Sequence, residues 1–186
     1  RYGDYTDLCC ALTGRAPKFG LHIKKNRLAQ IIINCEGLPL KSSTDDFAVL
    51  GYLAGKLAKD KIPAITGIPQ WVTSDQLKAF SAAIASSGAV AMFHMIGITP
   101  EAPDLNSILD DSSNIETIEI TKEMYLDSRK SLSSAAPESV DAILIGCPHA
   151  SVVELMEIAE LLNGKSISKE MEFWIYTNRE VYSLLE

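Results

Sequence analysis

Apolar positions in this chain fall into short blocks whose spacing alternates between two patterns. Leu28 to Cys35 is a run rich in isoleucine, closed by Glu36-Gly37, and predicts a strand. Ser42-Ser43-Thr44-Asp45-Asp46 is a helix-start cluster. Phe47, Leu50, Leu53, Ala54 and Leu57 follow it at helical spacing. Lys61 to Thr66 predicts a second buried strand ending at Gly67. Thr73 then caps a helix whose inward stripe is Leu77, Phe80, Ala83 and Ile84, with Gly88 at its end. Ala89 to Ile96 is apolar except at His94, the pattern of a parallel strand covered on both faces. Ahead of this series, Asp7 to Leu12 reads as a short apolar helix with Gly14 at its C-terminal cap, followed by a loop punctuated by Pro17 and Gly20.

A second series follows. Ile115 to Ile120 alternates as a strand with one exposed side. Thr121 caps a helix with Met124, Tyr125 and Leu132 as inner residues. Val140 to Ile145 predicts a buried strand, Ser151 to Leu162 an amphipathic helix ended by Asn163-Gly164, and Glu172 to Tyr176 a last strand before a helix capped by Thr177-Asn178. Strands alternating with helices of this length predict an α/β fold with mostly parallel sheets flanked by helices. The segment 97–114 is rich in proline, aspartate and serine and breaks the alternation. The expected organisation is therefore a first α/β lobe over 1–102, a linker over 103–115 and a second βα lobe over 116–186.

Composition narrows the functional classes. The 186 residues are 47% hydrophobic and 22% charged, ordinary for a globular chain, and the net charge is −7. Spread negative charge repels phosphate backbones, so nucleic acid is not an expected partner. No apolar run reaches the roughly 18 residues of a membrane span. Four cysteines, Cys9, Cys10, Cys35 and Cys147, do not form a disulfide framework pattern. A reducing, cytoplasmic setting with free thiols or metal ligands is the expectation. The chain opens on Arg1 and ends on Leu184-Leu185-Glu186, which reads as a piece of a longer protein.

The sharpest local feature is Gly146-Cys147-Pro148-His149, between a predicted strand and a predicted helix. Ligands of parallel α/β sheets bind outside the carboxyl ends of strands. A cysteine near a helix start is biased toward the thiolate, the form that binds metal or attacks carbon. A buried structural thiol is the commoner fate of a turn cysteine, and both readings stand. No second Cys or His pair completes a zinc spacing. A cysteine nucleophile served by His149 is a further reading. His94 reads as a core histidine bonded to backbone. His22 lies in a basic loop with Lys24, Lys25 and Arg27 that reads as solvated surface, and Cys9 and Cys10 read as packing residues. P-loop, Gly-x-Gly-x-x-Gly, Gly-x-Ser-x-Gly and His-Glu-x-x-His patterns do not occur.

Several segments in order resemble one family. They are Arg1-Tyr2-Gly3-Asp4-Tyr5-Thr6-Asp7-Leu8-Cys9 running to Ala16-Pro17 and Gly20-Leu21-His22; Gly51-Tyr52 with Pro63-Ala64-Ile65-Thr66-Gly67; Ser87-Gly88-Ala89-Val90-Ala91-Met92-Phe93-His94 with Gly97-Ile98-Thr99-Pro100-Glu101-Ala102; and Gly146-Cys147-Pro148-His149-Ala150-Ser151 with Glu154-Leu155 and Ile158-Ala159-Glu160-Leu161-Leu162. Together they are similar to the large catalytic subunit of the aconitase X dehydratases. The resemblance implies an aconitase-superfamily fold. It also implies an iron–sulfur hydro-lyase acting on a small hydroxy acid, such as mevalonate 5-phosphate or cis-3-hydroxy-L-proline. A small swivelling subunit or domain would complete the site. Cys147 would be a cluster ligand, with the remaining ligands outside this segment. His149 and Arg1 would meet substrate, Arg1 by likeness to the arginine of a Thr-Asn-Arg motif. The segment alone would hold no cluster and show no activity. The competing class is a non-catalytic small-molecule-binding or scaffold module.

Overall fold

The computed structural model describes residues 4–41, 43–110, 114–133 and 140–185. The chain divides into two compact units, 1–129 and 130–186. The division therefore lies beyond the linker expected at 103–115. The strand after that segment does not start a new lobe. β4 (Thr117–Glu119) pairs in parallel with β1 (Ile31–Asn34), and Ile120 and Tyr125 enter the core of the first unit.

The first unit is a four-stranded parallel sheet in the order β3-β2-β1-β4, with β2 at Pro63–Thr66 and β3 at His94–Met95. Helices α2 (Thr44–Ala58) and α3 (Ser74–Ser87) connect its first three strands. Ser43 caps α2 by accepting from Asp46 N–H, and Thr73 caps α3 in a reciprocal capping box with Gln76. Ile31, Ile33, Ile65 and Met95 meet Phe47, Leu50, Phe80 and Ile84 in one core cluster. Each such fully buried large side chain contributes about 1.5–3 kcal/mol relative to an exposed one. A smaller cluster of Ala29, Ala64, Ala102 and Ile108 forms where the segment after β3 returns toward β1.

The strand expected over Ala89–Ile96 shortens to two residues. β3 pairs only at Ala64↔His94 and Ile65↔Met95. β2 begins at Pro63, which carries no N–H, so the residues before His94 have no ladder to join. α1 (Asp4–Thr13) leaves Cys9 exposed and Cys10 half-buried, so neither is the packing residue expected. α4 (Lys122–Leu132) buries Tyr125 as read, but Leu132 stays exposed beyond the end of the first unit's core.

The second unit holds a two-stranded parallel sheet of β5 (Ala142–Ile145) and β6 (Glu172–Ile175), with α5 at Val152–Leu162 and α6 at Arg179–Leu185. β5, read as buried, is largely exposed, with Leu144 at 63%. It has one neighbouring strand, and no described layer within this unit covers its outer face.

Candidate functional site

The Gly146–Ser151 turn leaves the carboxyl end of β5 and is tied at several points to the end of β6. Tyr176 N–H donates to the Ile145 carbonyl at 2.8 Å, Ala150 N–H to the Tyr176 carbonyl at 2.9 Å, and Thr177 Oγ1 to the Ala150 carbonyl at 2.7 Å. Gly146 has φ of +111°, and a Cβ there would run into the Tyr176 backbone, 2.8 Å from its nitrogen. Only glycine lets the turn approach β6 this closely. The Cys147–Pro148 peptide bond is cis. Ser151 then caps α5 in a second reciprocal box with Glu154, at 3.2 and 2.8 Å.

On this scaffold the Cys147 thiol is free and exposed, and His149 is exposed beside it. Of the two readings left open by the sequence, the buried thiol is not the one found. The same edge carries Arg179, in the first turn of α6, two residues beyond Thr177. Sequence reading used Thr177-Asn178 only as a cap, and the cap is Asn178, whose Oδ1 accepts from Val181 N–H at 2.8 Å. Arg1 itself lies outside the described residues.

The other chemistry-bearing residues sit elsewhere. Cys35 is buried, and burial followed by the nearby Glu119 charge pushes its thiol up to about 12. It is an inert packing thiol at the end of β1. His94 is buried as expected, with Nε2 on the Arg27 carbonyl at 2.6 Å. Arg27 is held by Glu101 at 2.8 Å and by the Leu21 carbonyl, so part of the basic loop is a structural brace rather than free surface.

A feature missed by sequence reading lies at the carboxyl edge of the first unit. The last residues of three adjacent strands join side chain to side chain. Thr66 Oγ1 donates to Asn34 Oδ1 at 3.0 Å, and Asn34 Nδ2 donates to Glu119 Oε2 at 2.7 Å. β2 and β4 flank β1, so this row spans the point where strand order reverses. Knowing that Asn34, Thr66 and Glu119 share a register requires the sheet order, which no local pattern carries.

The described residues contain no group of three or more His, Cys, Asp or Glu side chains converging as metal ligands. An iron–sulfur cluster takes three or four such ligands. No described helix is long and apolar enough to cross a membrane.

Comparison with known proteins agrees with this architecture. The chain is 40% identical over 189 residues to a cis-3-hydroxy-L-proline dehydratase of Pseudomonas aeruginosa, covering all of this chain and 32% of that protein. It is 40% identical over 181 residues to a phosphomevalonate dehydratase large subunit of Methanosarcina mazei, covering 97% of this chain and 42% of that protein. The chain thus spans 32% and 42% of the length of these two relatives. The crystal structure of Thermococcus kodakaraensis aconitase X in its holo-form superposes with a TM-score of 0.80 at 32% identity, over 99% of this chain and 45% of that one. Residues 29–130 match the aconitase X second domain and residues 140–186 the third domain. With the first of those matches alone covering more than half of its length, the chain belongs to the aconitase X family.

Proposed function

We propose that this chain is the part of an iron–sulfur hydro-lyase large subunit that supplies Cys147 as one cluster ligand. The substrate is a small 3-hydroxy acid such as cis-3-hydroxy-L-proline or mevalonate 5-phosphate. A small subunit or domain of the same enzyme completes the site, in line with the large-subunit names of several relatives. The enzyme works in the cytoplasm. His149, and Arg1 at the far end of the chain, are assigned to substrate contact.

The observation that carries this reading is the Cys147 thiol, free and exposed on a turn bound to the neighbouring strand end. A structural cysteine gains nothing from such a position, whereas a ligand needs both exposure and a fixed backbone. Dehydration of a 3-hydroxy acid removes a proton from the carbon beside the carboxylate and hydroxide from the next carbon. A bound cluster supplies an iron with an open position, which acts as a Lewis acid. The chain's own residues hold the ligand thiolate and the substrate.

The full large subunit, expressed with its small partner and assayed anaerobically on both acids, tests the reading. Replacing Cys147 with Ser is expected to lower bound iron and to abolish measurable dehydration, with the fold retained by circular dichroism. This chain alone is expected to take up no stoichiometric iron. Full iron content and unchanged turnover in Cys147→Ser would overturn the assignment.

A further inference from the structure

We propose that a cavity of the first unit binds a small carboxylate that also carries a hydroxyl group, with the charge met by Lys24 and the hydroxyl by His94 Nδ1. The site contains none of the residues assigned to dehydration, and the inference does not depend on that reading. The cavity has a volume of about 400 Å³, within the range of small-molecule sites. Lys24, Arg27, His94, Glu101 and Ser107 are among the residues that line it.

The walls of the cavity are fastened to each other. One is the basic loop ending at Arg27, and the other is the segment that follows β3. Arg27 Nε and Glu101 Oε2 join the two at 2.8 Å, and just beyond them Ala29 N–H donates to the Ile108 carbonyl at 2.8 Å. Arg27 Nη1 also donates to the Leu21 carbonyl at 2.8 Å. His94 is fixed from the sheet side, by its pairing with Ala64.

His94 carries the inference. It is 1% exposed, and its Nε2 lies 2.6 Å from the Arg27 carbonyl. A carbonyl only accepts, so Nε2 holds the proton, and in the neutral ring Nδ1 is left as an acceptor. Nδ1 is buried, and no described protein group bonds to it. A buried acceptor left without a donor costs free energy. Its complement is an O–H group of something held in the cavity.

The other lining groups select the rest of the ligand. Glu101 is taken by Arg27, whereas Lys24 forms no ion pair among the described residues. Lys24 and Arg27 against Glu101 leave one positive charge on the lining, which calls for an anion. Ser107 Oγ gives its proton to Asp104 Oδ1 at 2.9 Å, so its oxygen too is an acceptor. A carboxylate with a hydroxyl group matches both needs. A single water occupies only about 30 Å³ and brings no charge to Lys24.

The test uses the complete large subunit with its small partner and two probes, lactate and propionate, which differ by one hydroxyl group. Titration calorimetry is expected to show lactate bound more tightly by about 10-fold or more, since propionate leaves Nδ1 without a donor. His94→Phe should remove that preference. Lys24→Ala, at an exposed position, should weaken both acids by about 2- to 5-fold and keep the preference. If His94→Phe fails to fold, the unaltered protein still decides: with ¹⁵N-labelled histidine, lactate should move the His94 Nδ1 resonance and propionate should not. Equal affinity for the two acids would overturn the inference. So would the absence of saturable binding, which leaves the cavity to water alone. Binding that Lys24→Ala does not weaken, or that leaves the Nδ1 resonance in place, belongs to another part of the enzyme and would overturn it as well.

Discussion

At the scale of single residues, Asp46 joins several groups of the first unit. It is 3% exposed and accepts from Tyr125 Oη at 2.6 Å, from Arg129 Nη1 at 2.8 Å and from Lys41 N–H at 2.8 Å. Burial pushes its carboxyl up, but the hydrogen bonds from Tyr125, Lys41, Ser43 and Arg129 outweigh it and hold the group below the usual carboxylate value. Burial and the Asp46 carboxylate together push the Tyr125 hydroxyl up to about 12. For a carboxyl lowered in the folded state, the stabilisation is complete above the unfolded value near 3.9 and is lost as pH falls through the folded one. The tyrosine works in the opposite sense. Its contribution is complete below about 10 and is lost as pH rises toward about 12. Asp46→Asn is expected to cost about 1–3 kcal/mol at pH 7 and to flatten the acid limb below about pH 4. Urea midpoints across pH 2.5 to 7 (an ordinary titration window for carboxylates, about 4 in the middle) measure both effects. Equal slopes in the two proteins would refute the account. Sequence reading did not find this network, because Asp46 and Arg129 are 83 positions apart and each reads locally as a surface helix residue. Cys147 was legible because its signal is local: a strand, a Gly-Cys-Pro turn and a capping serine in succession.

At the scale of elements, glycines of α2 let its backbone come close to α3. A Cβ on Gly51 would lie 2.5 Å from the Phe80 carbonyl oxygen. One on Gly55 would lie 2.7 Å from the Ile84 carbonyl oxygen and closer still to Ser87 Oγ. Gly88 ends α3 as expected, with φ of −131° and an extended backbone. Glycine is needed there because its missing Cβ leaves room for the Gly55 and Lys59 carbonyls. Alanine is favoured over glycine in a helix by about 1 kcal/mol. Overpacking costs about 1–3 kcal/mol, so Gly55→Ala is expected to destabilise on balance. A thermal or urea melt that moves upward for Gly55→Ala would show that the helices can separate without cost. Both helices were legible from their caps and stripes, since these depend on residues three or four apart. The length of β3 was not, because it depends on where β2 offers N–H groups.

At the scale of the whole chain, the two units differ in how much they bury. The first unit places large side chains such as Phe47, Phe80 and Ile33 at full burial. In the second, Ala150 is the only hydrophobic side chain among the described residues that is buried. Its apolar residues were plain in the sequence, and so was its strand–helix order. Their exposure was not, because an apolar strand reads the same whether or not a layer covers it. A two-stranded sheet without a buried face is marginal in water, and its strand hydrogen bonds depend on little besides each other. Leu144 and Trp174, at 63% and 50% exposed, withdraw little apolar surface from water, so opening the β5–β6 pair costs little hydrophobic free energy. Opening β1–β2 exposes Ile31, Ile33, Ala64 and Ile65 at once. Native-state hydrogen exchange on this chain should therefore divide at the unit boundary. Amides of β1 and β2 are expected to exchange only by global unfolding of the first unit. Those of β5 and β6 are expected to exchange faster, by local opening, with little dependence on denaturant. Equal protection of Ile143 and Ile33 amides would refute this. The same experiment on the complete large subunit should slow exchange in β5 and β6, because the apolar faces left open by these residues are then removed from water.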